Sequence, residues 1–281
     1  MTDPLLDLLR PNRLTAVVDI GANPLESKPP YLRMLEQRLC RVIGFEPQPE
    51  GLAALNARKS DLETYLPYVV GDGTNATLKV CRAPGMTSLL TPDPVALGHF
   101  AMFSEWGQVL REIPVTTYRL DDIAAIETID YLKMDVQGSE LAILRNAANH
   151  LKSVVAIQTE ISFVPLYQGQ PGFGEIDREL RTAGFVPHMF AAIEKRLIAP
   201  MAGKDPFAAM NQLLEADIVY VRDFVRPEGM NVEQLKHLAM VAHHCYGSID
   251  LAINCVHRLA QMGAAPADAA QRYLATVKRP A

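Results

Sequence analysis

Three short apolar runs in this chain carry an acid at or beside their ends: Val17-Val18-Asp19-Ile20-Gly21, Ile43-Gly44-Phe45-Glu46-Pro47 and Leu132-Lys133-Met134-Asp135-Val136. Apolar residues at 131, 132, 134 and 136 suit a strand covered on both faces, as in a parallel sheet. Asp135 then falls at the strand's carboxyl end, where open α/β sheets place their ligands. Beyond it, Gln137-Gly138-Ser139-Glu140 turns through glycine into a helix that brings a second acid. Three acid-tipped strands outline a nucleotide or nucleoside site.

The surrounding pattern must hold those acids in one plane. A helical lead-in at 5–10 precedes strand 16–20 and the turn Gly21-Ala22-Asn23-Pro24. Helix 31–40 has Leu32, Leu35 and Leu39 on one stripe. Strand 42–46 follows, then helix 49–58 with Leu52 and Leu55 inward, and strand 65–70. Segments 77–82 and 113–120 alternate as strands. Between them, 83–112 has no clean period, the mark of a lid or binding loop. Strand 131–135, helix 139–149, strand 154–160 and loop 165–174 come next. Helix 175–183 closes on Gly184, a typical position for a glycine just past a helix end, and strands 185–190 and 216–222 complete the series. Strand and helix alternating over 16–222 predict an α/β fold with a mostly parallel sheet. From Pro227 onward only helical patterns occur, at 232–263 and 267–277. The division expected is a domain at 1–225 and a helical extension at 226–281.

Composition narrows the partners. The 281 residues are 49% hydrophobic with a net charge of −5, and the pI is near 5.8. Nucleic-acid backbones demand a basic face, so no nucleic-acid partner is expected. Cys40, Cys81, Cys245 and Cys255 form no C-x-x-C pair and read as reduced, buried thiols of a cytosolic protein. The start Met1-Thr2-Asp3-Pro4 lacks the basic and apolar features of a signal peptide. No window reaches the roughly 18 apolar residues that span a bilayer. The expected location is cytoplasmic.

With these pieces in view, the chain resembles the FkbM family of S-adenosylmethionine-dependent methyltransferases. The resemblance rests on Val18-Asp19-Ile20-Gly21-Ala22-Asn23, Gly44-Phe45-Glu46-Pro47, Val70-Gly71-Asp72 and Thr87-Ser88-Leu89. It continues through Val115-Thr116-Thr117-Tyr118-Arg119-Leu120-Asp121-Asp122 and Leu132-Lys133-Met134-Asp135-Val136-Gln137-Gly138-Ser139-Glu140. Thr159-Glu160-Ile161 and Asn211-Gln212-Leu213-Leu214-Glu215-Ala216-Asp217 complete it. These pieces lie in family order over about 14–222, and Leu-Lys-x-Asp-Val-x-Gly-x-Glu is the most specific. The resemblance implies a Rossmann-like class I methyltransferase fold: a mostly parallel seven-stranded sheet with a terminal antiparallel strand, here with a C-terminal helical appendage. One departure stands out. Family members usually carry a second glycine soon after Gly-Ala-Asn, whereas this chain continues Pro24-Leu25-Glu26-Ser27-Lys28-Pro29-Pro30. The change falls at the methionine end of the implied cofactor site.

The implied cofactor contacts are Asp19, Gly21, Asn23, Glu46, Asp72 and Asp135. Glycine at 21 permits positive φ and close backbone approach, and a carboxylate at 19 suits the cofactor's ammonium. The alternative is a plain structural turn. Glu46 suits both ribose hydroxyls, as in dinucleotide folds; the alternative is a solvated loop acid. Asp72 suits the adenine amine, but Gly-Asp-Gly is equally ordinary turn chemistry, and Asn75 reads as a turn residue.

Asp135 and Glu160 are the catalytic candidates, tipping adjacent strands. Three roles stay open: a general base for a hydroxyl proton, a pair of oxygen ligands for Mg²⁺, or caps on the Gln137-Gly138 turn. The base role for Asp135 is preferred, because no third oxygen ligand for Mg²⁺ is evident. Glu140 reads as a helix-start acid. His243-His244-Cys245 and His257 have no zinc-type spacing, and neighbours on a helix diverge by about 100°, so no metal site is expected there. His99, Phe103 and Trp106 suit either substrate contact or loop packing.

The expected activity is therefore O-methyl transfer from S-adenosylmethionine to a hydroxyl of a small molecule or sugar. A nicotinamide-dependent oxidoreductase would share the acid of strand two, but G-x-G-x-x-G is absent, since the glycine after Gly21 is Gly44. A non-catalytic scaffold using its tail to bind a protein is the third reading. In that tail, Leu235, Leu238, Val241, Ala242, Tyr246, Ile249, Ile253, Val256 and Leu259 form a broad stripe, broken at Gly247-Ser248 with Ser248 as N-cap. The stripe must be covered, either by the chain itself or in a homodimer contact or lid.

Overall fold

Every residue of β1 (Thr15–Ile20) is buried, which places it inside a sheet with helices on both faces. The computed structural model describes residues 3–22, 28–201, 203 and 205–277. β2 (Cys40–Phe45), β3 (Glu63–Leu66), β7 (Tyr131–Met134) and β8 (Ala156–Ser162) run parallel with β1. β9 (Phe185–Lys195) and β10 (Leu213–Arg222) complete the sheet in the order β3-β2-β1-β7-β8-β10-β9. β10 is antiparallel to both neighbours. It is last in sequence but lies inside the edge. This is the Rossmann-like sheet of a class I methyltransferase, and its strand order reverses direction between β1 and β7, where such folds bind ligands.

The expected strand 65–70 is split. Pro67 has no N–H for the ladder, so β3 ends at Leu66. Val69–Val70 (β4) leaves to pair with β6 (Val109–Tyr118), which also pairs with β5 (Asn75–Cys81) in a second, three-stranded sheet. The expected helix 31–40 shrinks to α2 (Leu32–Glu36). Arg38 turns left-handed at φ 57°, and Cys40 is already a strand residue opposite Thr15. Helix α3 (Pro49–Arg58) matches expectation in length, but Leu52 and Leu55 are only half-buried. α6 (Glu140–Arg145) is likewise shorter than expected. The aperiodic segment 83–112 is not open: Met86, Leu97, Phe100 and Phe103 form a small core with Leu166, Tyr167 and Leu214.

Two larger cores flank the main sheet. On one face Val18, Ile20, Leu132 and Ile157 pack with α6 and α7 (Phe173–Thr182). On the other, Val17, Val42, Tyr131, Ala156 and Val221 pack against α8 (Val232–Tyr246) and α9 (Ile249–Gln261). The tail's apolar stripe is thus covered by the chain's own sheet. Residues 237–242 of α8 are buried without interruption, as befits a helix sandwiched between layers. His237 Nδ1 lies 3.1 Å from Thr15 Oγ1, tying α8 to the start of β1. Gly247, at φ 61°, separates the two helices. Ser248 holds the N-cap position, yet its hydroxyl bonds Asp250 and His188 instead of a backbone N–H. Among the described residues, no helix is long and apolar enough to cross a membrane.

Candidate functional site

At the strand-order reversal, Asp19 of β1 stands in register with Lys133 of β7. The Asp19 carboxylate is buried; it accepts the Tyr31 hydroxyl at 2.6 Å and the Lys133 ammonium at 3.2 Å. Burial, with Asp19 alongside, raises the Tyr31 phenol well above its ordinary value, so it remains a donor. One step on, Gly21 has φ +83°, and a Cβ there would stand 2.0 Å from the Asp135 carbonyl oxygen. Only glycine fits. Gly21→Ala adds left-handed strain to a collision with backbone, each of order 1–3 kcal/mol. Its expected outcome is a melting temperature lowered by ~6 °C or more; a melt within a degree of the parent would refute the packing argument. Asn23, and Pro24 to Ser27 of the proline-bearing departure, lie outside the described residues.

Glu46, just past β2, is buried, and its Oε1 accepts the Gln48 N–H at 2.7 Å. Burial pushes this carboxyl up, and the Gln48 bond offsets part of the rise. Together with Gly21, Phe45, Tyr68, Val70 and Gln137 it lines a cavity of about 90 Å³. Asp72 is not part of that wall. It is exposed, and its Oδ1 accepts the Thr74 N–H and hydroxyl at 2.9 and 2.7 Å, an Asx turn that lowers its pKa. These bonds are the turn chemistry that Gly-Asp-Gly offers.

Asp135 and Glu160 come together through an unforeseen third residue. Gln137 Nε2 donates to Asp135 Oδ1 at 2.9 Å and to Glu160 Oε2 at 3.1 Å. Gln137 sits at φ +55°, a left-handed conformation uncommon for a side chain of this size. Its backbone carbonyl accepts the Ser88 hydroxyl and its Oε1 the Tyr167 hydroxyl. Among the described residues, no group of three His, Cys, Asp or Glu is placed to hold a metal ion; an amide fills the space between this pair. Burial, then the charge of Asp135, raises Glu160 well above the usual carboxylate range. Burial likewise lifts Glu215 of β10 to about 7. Glu140 accepts the Val136 and Gly138 N–H groups at 3.0 and 3.3 Å, closing the turn as a helix-start acid.

A second cavity, of about 960 Å³, opens on the face that α8 covers. Its polar lining includes Asp19, Tyr31, Lys133, Gln158, Asp217 and Tyr246 together with Lys28, Arg38, Arg58, Lys59 and Glu63, and Asp135 borders both cavities. Tyr246, from the end of α8, donates to Gln158 Oε1 at 2.9 Å. With α2 only five residues long, the end of α8 closes space left over β1, β7 and β8. Lys133 was legible as a lone cation in an apolar strand; Tyr246 and Gln158 left no such signal. The loop aromatics went the other way: Phe103 is buried, Trp106 packs on it with ring centroids 5.2 Å apart, and neither lines either of these two cavities. His243 bonds Tyr273 at 2.8 Å and His244 lies 3.5 Å from Asp3, contacts that tie α8 to its neighbours.

The acid-tipped reversal point of a seven-stranded, mostly parallel sheet defines a class I methyltransferase architecture. The family model described as "Methyltransferase FkbM domain" matches residues 19–187, and the chain belongs to that family. No curated protein matches the sequence. Among solved structures, magnesium protoporphyrin IX methyltransferase from Synechocystis is 11% identical, with 75% of this chain and 71% of that one covered at a TM-score of 0.38. A TehB-like SAM-dependent methyltransferase from Corynebacterium glutamicum is 11% identical, covering 78% and 85% at 0.35. For 1,6-didemethyltoxoflavin-N1-methyltransferase from Burkholderia thailandensis the values are 13% identity, 75% and 72% coverage, and 0.34.

Proposed function

We propose that the protein is an S-adenosylmethionine-dependent O-methyltransferase acting on a hydroxyl of a small molecule or sugar. The observation that carries this reading is the position of Asp135 on the wall shared by the two cavities. The smaller cavity carries the kinds of group that a nucleoside uses. Phe45, Tyr68 and Val70 give flat apolar walls for a base, Glu46 gives an acceptor for a ribose diol, and Gly21 clears the backbone beside them. S-adenosylmethionine, when bound, supplies an activated methyl group.

The chain's own residues do the rest. Asp135 accepts the proton of the acceptor hydroxyl, and Gln137 fixes the orientation of that carboxylate through its Nε2 bond. Burial and the neighbouring Asp135 hold the Glu160 carboxyl well above the usual range, which favours its neutral form beside Asp135. The larger cavity offers carboxylate, ammonium, amide and phenol groups together, a mixture of donors and acceptors suited to a hydroxyl-rich acceptor. In this reading residues 1–225 carry the transfer, and the extension at 226–281 walls the acceptor side through Cys245 and Tyr246.

Calorimetry tests the reading directly. S-adenosylhomocysteine is expected to bind and NAD to give no heat. Glu46→Ala removes charge-assisted bonds of about 1.5–3 kcal/mol, so the affinity should fall tenfold or more while the empty protein melts unchanged. Full affinity in that variant removes the ribose assignment. Binding of neither nucleotide by the parent protein would favour the non-catalytic scaffold.

A further inference from the structure

Gln158 of β8 is 6% exposed and lines the larger cavity. Its Oε1 accepts the Tyr246 hydroxyl at 2.9 Å, and the Tyr131 hydroxyl lies 3.4 Å from the same oxygen. The two phenols also bond each other. Burial raises both phenols well above their ordinary value, so both keep their protons. Those protons run one way, from Tyr131 to Tyr246 and from Tyr246 to the amide oxygen. Turning the amide over would leave one phenol proton at this buried place without an acceptor, a costly loss. The phenols thus fix which end of Gln158 meets the cavity. It is Nε2, a donor, and among the described residues nothing accepts from it.

Asp217 of β10 is its counterpart. It pairs in register with Glu160, two residues beyond Gln158. Ala156, Val219 and Val221 face α8, so by the alternation of strands Gln158 and Asp217 face it too. They are diagonal neighbours, within reach of one ligand group. Asp217 lines the same cavity, and no hydrogen bond from a described residue compensates its partial burial. Burial, then the charge of Asp135, raises this carboxyl, and either protonation state leaves an oxygen that can accept.

The cavity crosses the sheet from Tyr65 of β3 to Ala192 of β9. Arg38, Arg58 and Lys59 enter it from the segments beside β2 and β3, whereas Gln158 and Asp217 stand on the β8–β10 side. Lys133, in register with Gln158, is bonded to Asp19. An anion on the β8–β10 side would meet Asp135 and Asp217, and an ammonium would meet the Gln158 N–H. An apolar group would leave both partners unmet. A neutral hydroxyl answers both, accepting from Gln158 and donating to Asp217.

We propose that Gln158 and Asp217 select the methyl acceptor by binding one hydroxyl of a polyol, a sugar or cyclitol, while another hydroxyl of the same molecule meets Asp135. The proposal rests on the methyltransferase reading above and assigns these two residues the choice of substrate. Tyr246, from the C-terminal extension, then acts on that choice through the amide it orients.

The test is a ligand-observed NMR titration of the protein loaded with S-adenosylhomocysteine. The probes are the methyl glycosides of glucose, galactose and mannose, and myo-inositol, with cyclohexanol as the single-hydroxyl control. At least one polyol is expected to bind, and more tightly than cyclohexanol. Gln158→Met, which keeps the length but removes the donor, should weaken the best polyol by about tenfold. Asp217→Ala should do the same without lowering the melting temperature, because it removes a carboxyl that has no partner to lose. Both variants should bind S-adenosylhomocysteine within threefold of the parent. Absence of binding by every polyol overturns the proposal, as does cyclohexanol binding equally well or a polyol affinity that survives in Asp217→Ala. If the parent fails to bind S-adenosylhomocysteine in the first place, the methyltransferase reading itself falls and takes the proposal with it.

Discussion

A chain ending at residue 228 is expected to be recovered only as aggregate. Leu235, Leu238, Val241, Val256 and Leu259 are each at most 1% exposed and pack on Val17, Val42, Tyr131, Ala156 and Val221 of the sheet. Burial of each large apolar side chain stabilises by about 1.5–3 kcal/mol, whereas a whole domain is stable by only about 5–15 kcal/mol. Removing α8 and α9 therefore subtracts an amount comparable with all that the fold has in reserve. It also opens the cavity wall at Cys245 and Tyr246. A truncated protein that stays soluble, melts cooperatively and binds S-adenosylhomocysteine normally would show that the helices are an accessory.

Asp135→Asn should lose most of the methyl-transfer rate, by about 10²–10⁴-fold if the carboxylate is the proton acceptor. The amide keeps an oxygen for the Gln137 Nε2 bond, so the turn should hold its shape and cofactor affinity should change by less than threefold. Exhaustive EDTA treatment is expected to leave the parent rate unchanged, since Gln137 stands between the two carboxylates. Loss of turnover on chelation, restored by Mg²⁺, would reassign Asp135 and Glu160 to a cation. Full activity in Asp135→Asn would exclude both roles.

Why some of this was readable from sequence and some was not has a physical basis. Parallel strands buried on both faces leave continuous apolar runs, so β1, β2 and β7 declared themselves, and the acids at 19, 46 and 135 could be placed at one edge. Gly21 was readable because a turn that admits no Cβ leaves a glycine behind. The helix expected at 31–40 failed because a leucine stripe does not record that Arg38 reverses the backbone. The strand expected at 65–70 failed because Pro67 was given too little weight. Gln137 was passed over as a turn residue; its bridging role depends on a left-handed backbone that no side-chain pattern announces. Tyr246 meets Tyr131 across 115 positions, and contacts of that span arise from tertiary packing alone.

The placement of α8 also governs how the protein comes into being. Thr15 and His237 meet across 222 positions, and β1 is translated well before α8. At ribosomal speeds of about 5–20 residues per second, roughly 10–40 s pass between the two. Throughout that interval Val17 and Val42 lack the cover of α8 and α9. The nascent sheet can assemble its α6 and α7 side during translation, while the opposite side waits for α8 and α9. Contacts of such long span also slow the search for the native pairing. Nascent chains stalled before residue 232 should therefore be held by chaperones, and release should follow once α8 and α9 clear the exit tunnel.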